Sequence, residues 1–266
     1  MTPLRNDRLS SALGCTVHCA ALFCLLSLGA IVIHIFAKGF AALTFDALRC
    51  MIPPLLGSAL IMLLSLLISV PIGVGSAILL TQYDVPPVVR RAVRIASDSL
   101  AALPSVVYGM FGMICFVISA GLGFSLLAGA LTMSLIQLPL IFGAACNAMR
   151  ELPDDLRLGG AALGAGRVRV IFGILLPAAA RGITAGIILA AGRAAGETAA
   201  LICTFGSSGN VPDSLFASGS TLAVYMYTLA VESENVGQSY ATAALLLILT
   251  ATFNCIAAQL GRRCAQ

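Results

Sequence analysis

Residues 54–80 read PLLGSALIMLLSLLISVPIGVGSAILL, without one charged side chain. Hydrocarbon about 30 Å thick is crossed by about 20 apolar residues in a helix, so this stretch is a membrane span. Five more segments meet or approach that length, near residues 11–36, 103–120, 124–148, 178–205 and 240–260. The shortest, 103–120, is separated from the next by only Gly121, Leu122 and Gly123, which predicts a tight helical hairpin. The expected fold is an all-α membrane protein with six transmembrane helices, one domain filling residues 1–266.

Composition agrees. With 59% hydrophobic and 10% charged residues and a mean hydropathy of +1.02, the chain has too little polar surface to coat a water-soluble globule. The net charge of +4 comes from arginines set between apolar blocks, a membrane-topology pattern rather than a nucleic-acid patch. Most of the nine cysteines lie in apolar stretches; Cys15, Cys19 and Cys24 share one with His18, but no CxxC spacing supports a metal site. The first span follows Arg5 and Arg8 without a small-residue cleavage site, so it is read as a retained helix.

Short cytoplasmic loops carry the basic excess. Placing the N-terminus inside gathers Arg5, Arg8, Arg90, Arg91, Arg94, Arg150, Arg157, Arg167, Arg169, Arg181, Arg262 and Arg263 on the cytoplasmic side, against Lys38 and Arg49 outside. Both termini are then cytoplasmic. The outer loop 206–239 has no Lys or Arg; its acids are Asp213, Glu232 and Glu234, and its middle, 222–231, is expected to be a short surface or re-entrant helix.

Two places carry candidate chemistry. The first is the loop from Arg150 to Pro177, nearly thirty residues long, rich in Arg and paired Gly; loops of that length usually have a function. In it Leu163-Gly164-Ala165-Gly166 is followed by Ile171 and Leu176-Pro177, as a helix, a Gly break and a second helix would require. The second is Arg193 with Glu197 in the fifth span. At about 1.5 Å per residue, Arg193 lies about 18 Å beyond Arg181, near mid-membrane, where charge is costly and a functional candidate by default. Gly186, Ala190, Arg193, Glu197, Ala200 and Thr204 recur at helical spacing, so the charged pair is expected to share one inward face with small residues. A structural ion pair between helices is the alternative use of the same two side chains. Pro71 with Gly73 and Gly75, and Pro139, are sites either for kinks at pore depth or for packing adjustments.

The residues resemble a known family. Leu163 to Gly166 with Ile171 and Leu176-Pro177 is similar to the coupling segment of ABC importer permeases. Gly192-Arg193-Ala194-Ala195-Gly196-Glu197-Thr198-Ala199-Ala200 resembles the signature of phosphate importer permeases, and Ala102-Leu103-Pro104-Ser105-Val106-Val107-Tyr108-Gly109-Met110-Phe111-Gly112 resembles their third-span motif. Thr221-Leu222-Ala223-Val224-Tyr225-Met226-Tyr227 resembles the outer loop of the PstA-type subunit rather than the PstC-type one.

The resemblance implies a PstA-like permease, half of an alternating-access pathway for inorganic phosphate in the bacterial inner membrane. It implies a PstC-like second permease, a PstB-like ATPase dimer that uses ATP and Mg, and an external PstS-like phosphate-binding protein. Arg193, Glu197 and Thr198 would line the route. Leu163, Gly164, Ala165, Ile171 and Pro177 would belong to the coupling segment, with Arg157, Arg167 and Arg169 against the ATPase. One departure stands out: the Glu-Ala-Ala that often opens the coupling segment reads Leu158-Gly159-Gly160 here.

The chain has no GxxxxGK[ST] phosphate loop, so no ATP chemistry, cofactor or enzyme activity of its own is expected. Phosphonate, molybdate or sulfate permeases fit Arg193 equally well. An ion-coupled secondary anion carrier would use Glu197 as its proton site, and the long Arg-rich loop argues against it. An intramembrane enzyme lacks a placed His or a Gly-x-Ser-x-Gly elbow.

Overall fold

The computed structural model describes residues 6–231 and 235–262, and among these only helices and connecting segments occur. Of the charges used to orient the chain, Arg5, Glu232, Glu234 and Arg263 lie outside the described residues. In lipid every backbone N–H and C=O must be satisfied within the chain, and helices do so segment by segment.

α1 (Asn6–Ala41) leads into α2 (Phe45–Gln82), capped by the Thr44 hydroxyl, which accepts from the Ala47 amide at 3.3 Å. α2 continues through Pro53, Pro54 and Pro71. α3 (Pro87–Ala102) ends where Pro104 forces Leu103 out of helical geometry, to φ −69° and ψ 137°. The chain turns by 100° into α4 (Ser105–Gly112), which widens to a π-helical stretch, Met113–Ser119. Gly121 (φ +68°) and Gly123 (φ +64°) make the hairpin in left-handed conformations that L side chains avoid. α5 (Leu126–Arg150) starts on the Ser125 hydroxyl, which accepts from the Ala128 amide at 3.2 Å.

α6 (Asp154–Ala162) and α7 (Arg167–Val170) follow. α7 passes through a π-helical turn, Ile171–Leu175, into α8 (Leu176–Ala195). The widened turn comes just before Pro177, which has no amide to give the ladder. After α9 (Ala199–Ile202) and α10 (Leu222–Val231), α11 (Val236–Arg262) completes the described chain. Among the described residues five rods are long and apolar enough to cross a membrane, or six if the bent α3–α4 pair is taken as one span.

α2 lies along α5, α8 packs on α5 and α11, and α1 packs on α11. The α5–α8 seam depends on small residues, because packing and not the hydrophobic effect holds helices together in lipid. A Cβ at Gly182 would stand 2.8 Å from that of Ala148, and one at Gly186 would collide with Ala144. Between α2 and α5 the Ser69 hydroxyl donates to Gln137 Oε1 at 3.1 Å, both buried.

The structure differs from the sequence reading in two places. Residues 87–102 form an amphipathic helix, not an Arg-bearing loop. The fifth span does not run to Phe205: α8 ends at Ala195, because the Gly196 and Glu197 amides turn back to the Arg193 and Ala194 carbonyls, each at 3.2 Å. Of the two forms expected for 222–231, a surface or a re-entrant helix, the structure has the re-entrant one. Ser220 to Val224 are buried, with the Leu222 amide donating to the Ser58 hydroxyl at 2.8 Å, so α10 dips into the fold against α2 and α11. Fully buried Phe205 packs there with Ile61, Leu201 and Val224.

Candidate functional site

Arg193 sits in the last turn of α8 and is exposed, although its neighbours Gly192, Ala194 and Ala195 are buried. It opens into a cavity of about 350 Å³ walled by Tyr108 and Ser105 of α4 and by Ile136, Pro139, Gly143 and Asn147 of α5. These α5 residues fall along the middle and second half of a helix of 25 residues. Pro139 is about 20 Å from its start, at 1.5 Å per residue. Arg193 therefore stands beside the middle and second half of α5.

Glu197 does not share its face. It lies beyond the end of α8, half-buried, and among the described residues no ion pair joins it to Arg193. The helical spacing that linked the two in the sequence stops at Gly196. Thr198 is half-buried at the head of α9, where its carbonyl accepts from the Ile202 amide at 3.0 Å. The helix break thus separates the three signature residues by backbone geometry and leaves the guanidinium with open donors. Five N–H groups in a planar fork match an oxyanion by charge and shape.

Sequence reasoning placed Ser105 and Tyr108 in the third-span motif without giving either a role at the site, and it did not single out Asn147. Tyr108 is buried and its hydroxyl donates to the Leu100 carbonyl at 2.8 Å, across the 100° bend. The signal available in sequence was Pro104 next to an aromatic four residues on, which marks a turn but not what the turn encloses.

The coupling segment is a compact two-helix unit. Gly164 has φ +75°, which returns the chain from α6 towards α7, and the Ala165 amide donates to the Gly160 carbonyl at 3.2 Å. Gly160, where the sequence departs from the Glu-Ala-Ala pattern, lets α6 approach α7: a Cβ there would be 2.9 Å from Val170 Cγ2. Ile171 is buried with Val170 and Leu175 and pins the unit to the rod that becomes α8, whereas Pro177 and Ala165 are less enclosed. Arg157 donates to Gln82 Oε1 at 2.8 Å, and Arg167 donates to Asp84 Oδ2 at 3.2 Å while lying 5.2 Å from the Tyr83 ring centre. Both arginines therefore clamp the segment to the end of α2. Arg169 and Leu163 remain exposed, Leu163 at 88%.

Residues 69–266 match the family model described as the binding-protein-dependent transport system inner membrane component. The chain belongs to this family. As an ABC permease it is a multi-pass inner-membrane transporter subunit. It is 32% identical over 223 residues to a probable ABC transporter permease protein, YqgI, of Bacillus subtilis, covering 78% of this chain and 76% of that one. It is 31% identical over 211 residues to the phosphate transport system permease protein PstA of Xylella fastidiosa, covering 75% and 74%. The permease also shares its fold with the bacterial alginate ABC transporter solved with a pentasaccharide-bound periplasmic protein, at a TM-score of 0.70 and 15% identity over 98% of this chain and 97% of that one.

Proposed function

We propose that this permease forms half of the translocation pathway of an ATP-driven importer for inorganic phosphate and works by alternating access. The observation that carries the reading is Arg193, a guanidinium with no ion-pair partner among the described residues, opening into a cavity halfway along α5. A cation kept free at that depth is costly unless its counter-ion is the passing anion. The likeness to PstA proteins supports phosphate as that anion.

In this reading Arg193 binds the phosphate dianion in a fork, and Glu197 tempers its hold by repulsion so that the ion leaves. Thr198 keeps the break after α8 in place. A second, PstC-like permease closes the open side of the cavity, and a PstS-like external protein delivers phosphate. Exposed Leu163 and Arg169 dock on a PstB-like ATPase dimer, which supplies the ATP and Mg chemistry. Its closure pushes α6, and the clamp to α2 through Arg157 and Arg167 carries the movement into the membrane. Both termini face the cytoplasm, and the chain catalyses no reaction itself.

The test is ATP-dependent uptake of labelled phosphate by vesicles containing all four kinds of subunit, wild type against Arg193→Gln, with sulfate and molybdate as competitors. Uptake that needs ATP, resists the competitors and falls at least tenfold in the assembled variant is expected. Uptake that continues without the ATPase, or that another oxyanion displaces, rejects the reading.

A further inference from the structure

A second cavity, of about 390 Å³, adjoins the Arg193 cavity and shares its Ala101, Pro139, Gly143 and Asn147 walls. Its charged lining comes from two helices. Arg90, Arg94 and Asp98 recur every fourth residue on α3 and so stand on one stripe; Arg150, at the end of α5, lies on the same side as Gly143 and Asn147. Arg90, Arg94, Asp98 and Arg150 are all exposed, and none of them forms an ion pair among the described residues, although Arg94 and Asp98 are one turn apart. Three arginines against one aspartate leave an excess of two positive charges around the space. A topology signal alone would leave these side chains pointing to water in any direction; here they converge on a vestibule continuous with the cavity of Arg193.

We propose that this vestibule is a second oxyanion site, which holds a phosphate group on the α6 side of the permease after it has passed Arg193. It rests on the reading of Arg193 as part of a phosphate route. A lone arginine at mid-depth would release its anion into a low-dielectric wall, whereas a basic vestibule about one turn further along α5 lowers that step by electrostatic focusing. Asn147, lining both cavities, is the hand-over point. Asp98 keeps the hold weak enough for release. The same site takes the phosphate group of an anionic lipid if the bilayer reaches it, because α3 is amphipathic with Val88 and Ile95 exposed.

The complete importer reconstituted with its ATPase face outward, and with binding protein and labelled phosphate enclosed, lets inorganic phosphate be titrated straight onto the vestibule. Added phosphate is expected to slow ATP-driven transport, with its half-effect concentration raised about tenfold in R94Q/R150Q, restored in R94K/R150K and unchanged in R91Q, whose arginine lies outside the cavity. Running the titration in phosphatidylcholine vesicles and in vesicles that also hold phosphatidylglycerol separates the sources. A variant effect in both assigns the site to the free ion; an effect only with phosphatidylglycerol assigns it to the lipid headgroup. The same half-effect in wild type and R94Q/R150Q, in both lipids, overturns the site. If wild type moves sulfate rather than phosphate while the arginine dependence persists with sulfate, the phosphate reading fails and the vestibule stands.

Discussion

The Tyr108 hydroxyl donates to the Leu100 carbonyl at 2.8 Å, joining the start of α4 to the end of α3 across a bend of 100°. The Leu100 carbonyl also accepts from the Leu103 amide at 3.2 Å, and a carbonyl oxygen has two lone pairs, so the Tyr108 bond fills the second and ties the start of α4 to the end of α3. Tyr108→Phe keeps the ring and removes the donor. A loss of about 1 kcal/mol is expected, seen as a lower Tm of the purified complex, together with a two- to five-fold fall in transport because the wall of the Arg193 cavity loosens. An unchanged Tm would assign the bend to Pro104 alone.

Arg193 and Glu197 are not an ion pair in this fold, so exchanging their charges cannot preserve an interaction. R193E/E197R is expected to transport no better than R193E alone. Recovery to within a few-fold of wild type would mean that the two do pair during the cycle.

Gly186 packs against Ala144 with no space for a side-chain carbon. Gly186→Val is expected to cost about 1–3 kcal/mol through overpacking and to part α8 from α5, while Gly75→Val, on open surface, leaves stability within about 0.5 kcal/mol. Thermal unfolding in one detergent compares the two.

Arg157 and Leu163 make opposite predictions. Arg157→Ala removes a charged hydrogen bond to Gln82 worth about 1.5–3 kcal/mol before discounting for its solvent exposure. ATP hydrolysis should continue while phosphate moved per ATP falls. Leu163→Glu touches almost nothing within the chain, so the permease should keep its Tm but lose co-purification with the ATPase. Coupling unchanged in the first, or a Tm lowered in the second, would contradict these assignments.

The apolar segments that become membrane helices, the Gly121–Gly123 hairpin and the two-helix shape of the coupling segment were legible in the sequence, but not where the fifth span ends. Length in apolar residues, left-handed glycines and the Gly164 break are local features, each decided within a few residues of itself. The family signature also located Arg193. The face that Arg193 presents was not legible, since helical spacing runs on past Gly196 in the sequence while the backbone does not. Nor was the choice between a surface and a re-entrant helix at 222–231, which depends on Gly57 allowing the Ser220 carbonyl to approach α2.

The sequence by itself determined that the chain lives in lipid, because the cost of placing backbone polar groups in hydrocarbon leaves long apolar segments only the helix. Tertiary structure alone decided which arginines share a space. Arg94 and Arg150, far apart in the chain, line one vestibule because α3, set off from α4 by the bend at Pro104, packs on α5. Long-range electrostatics of that kind depends on where helices cross, and crossing is fixed by glycines and alanines at the seams rather than by the charges themselves.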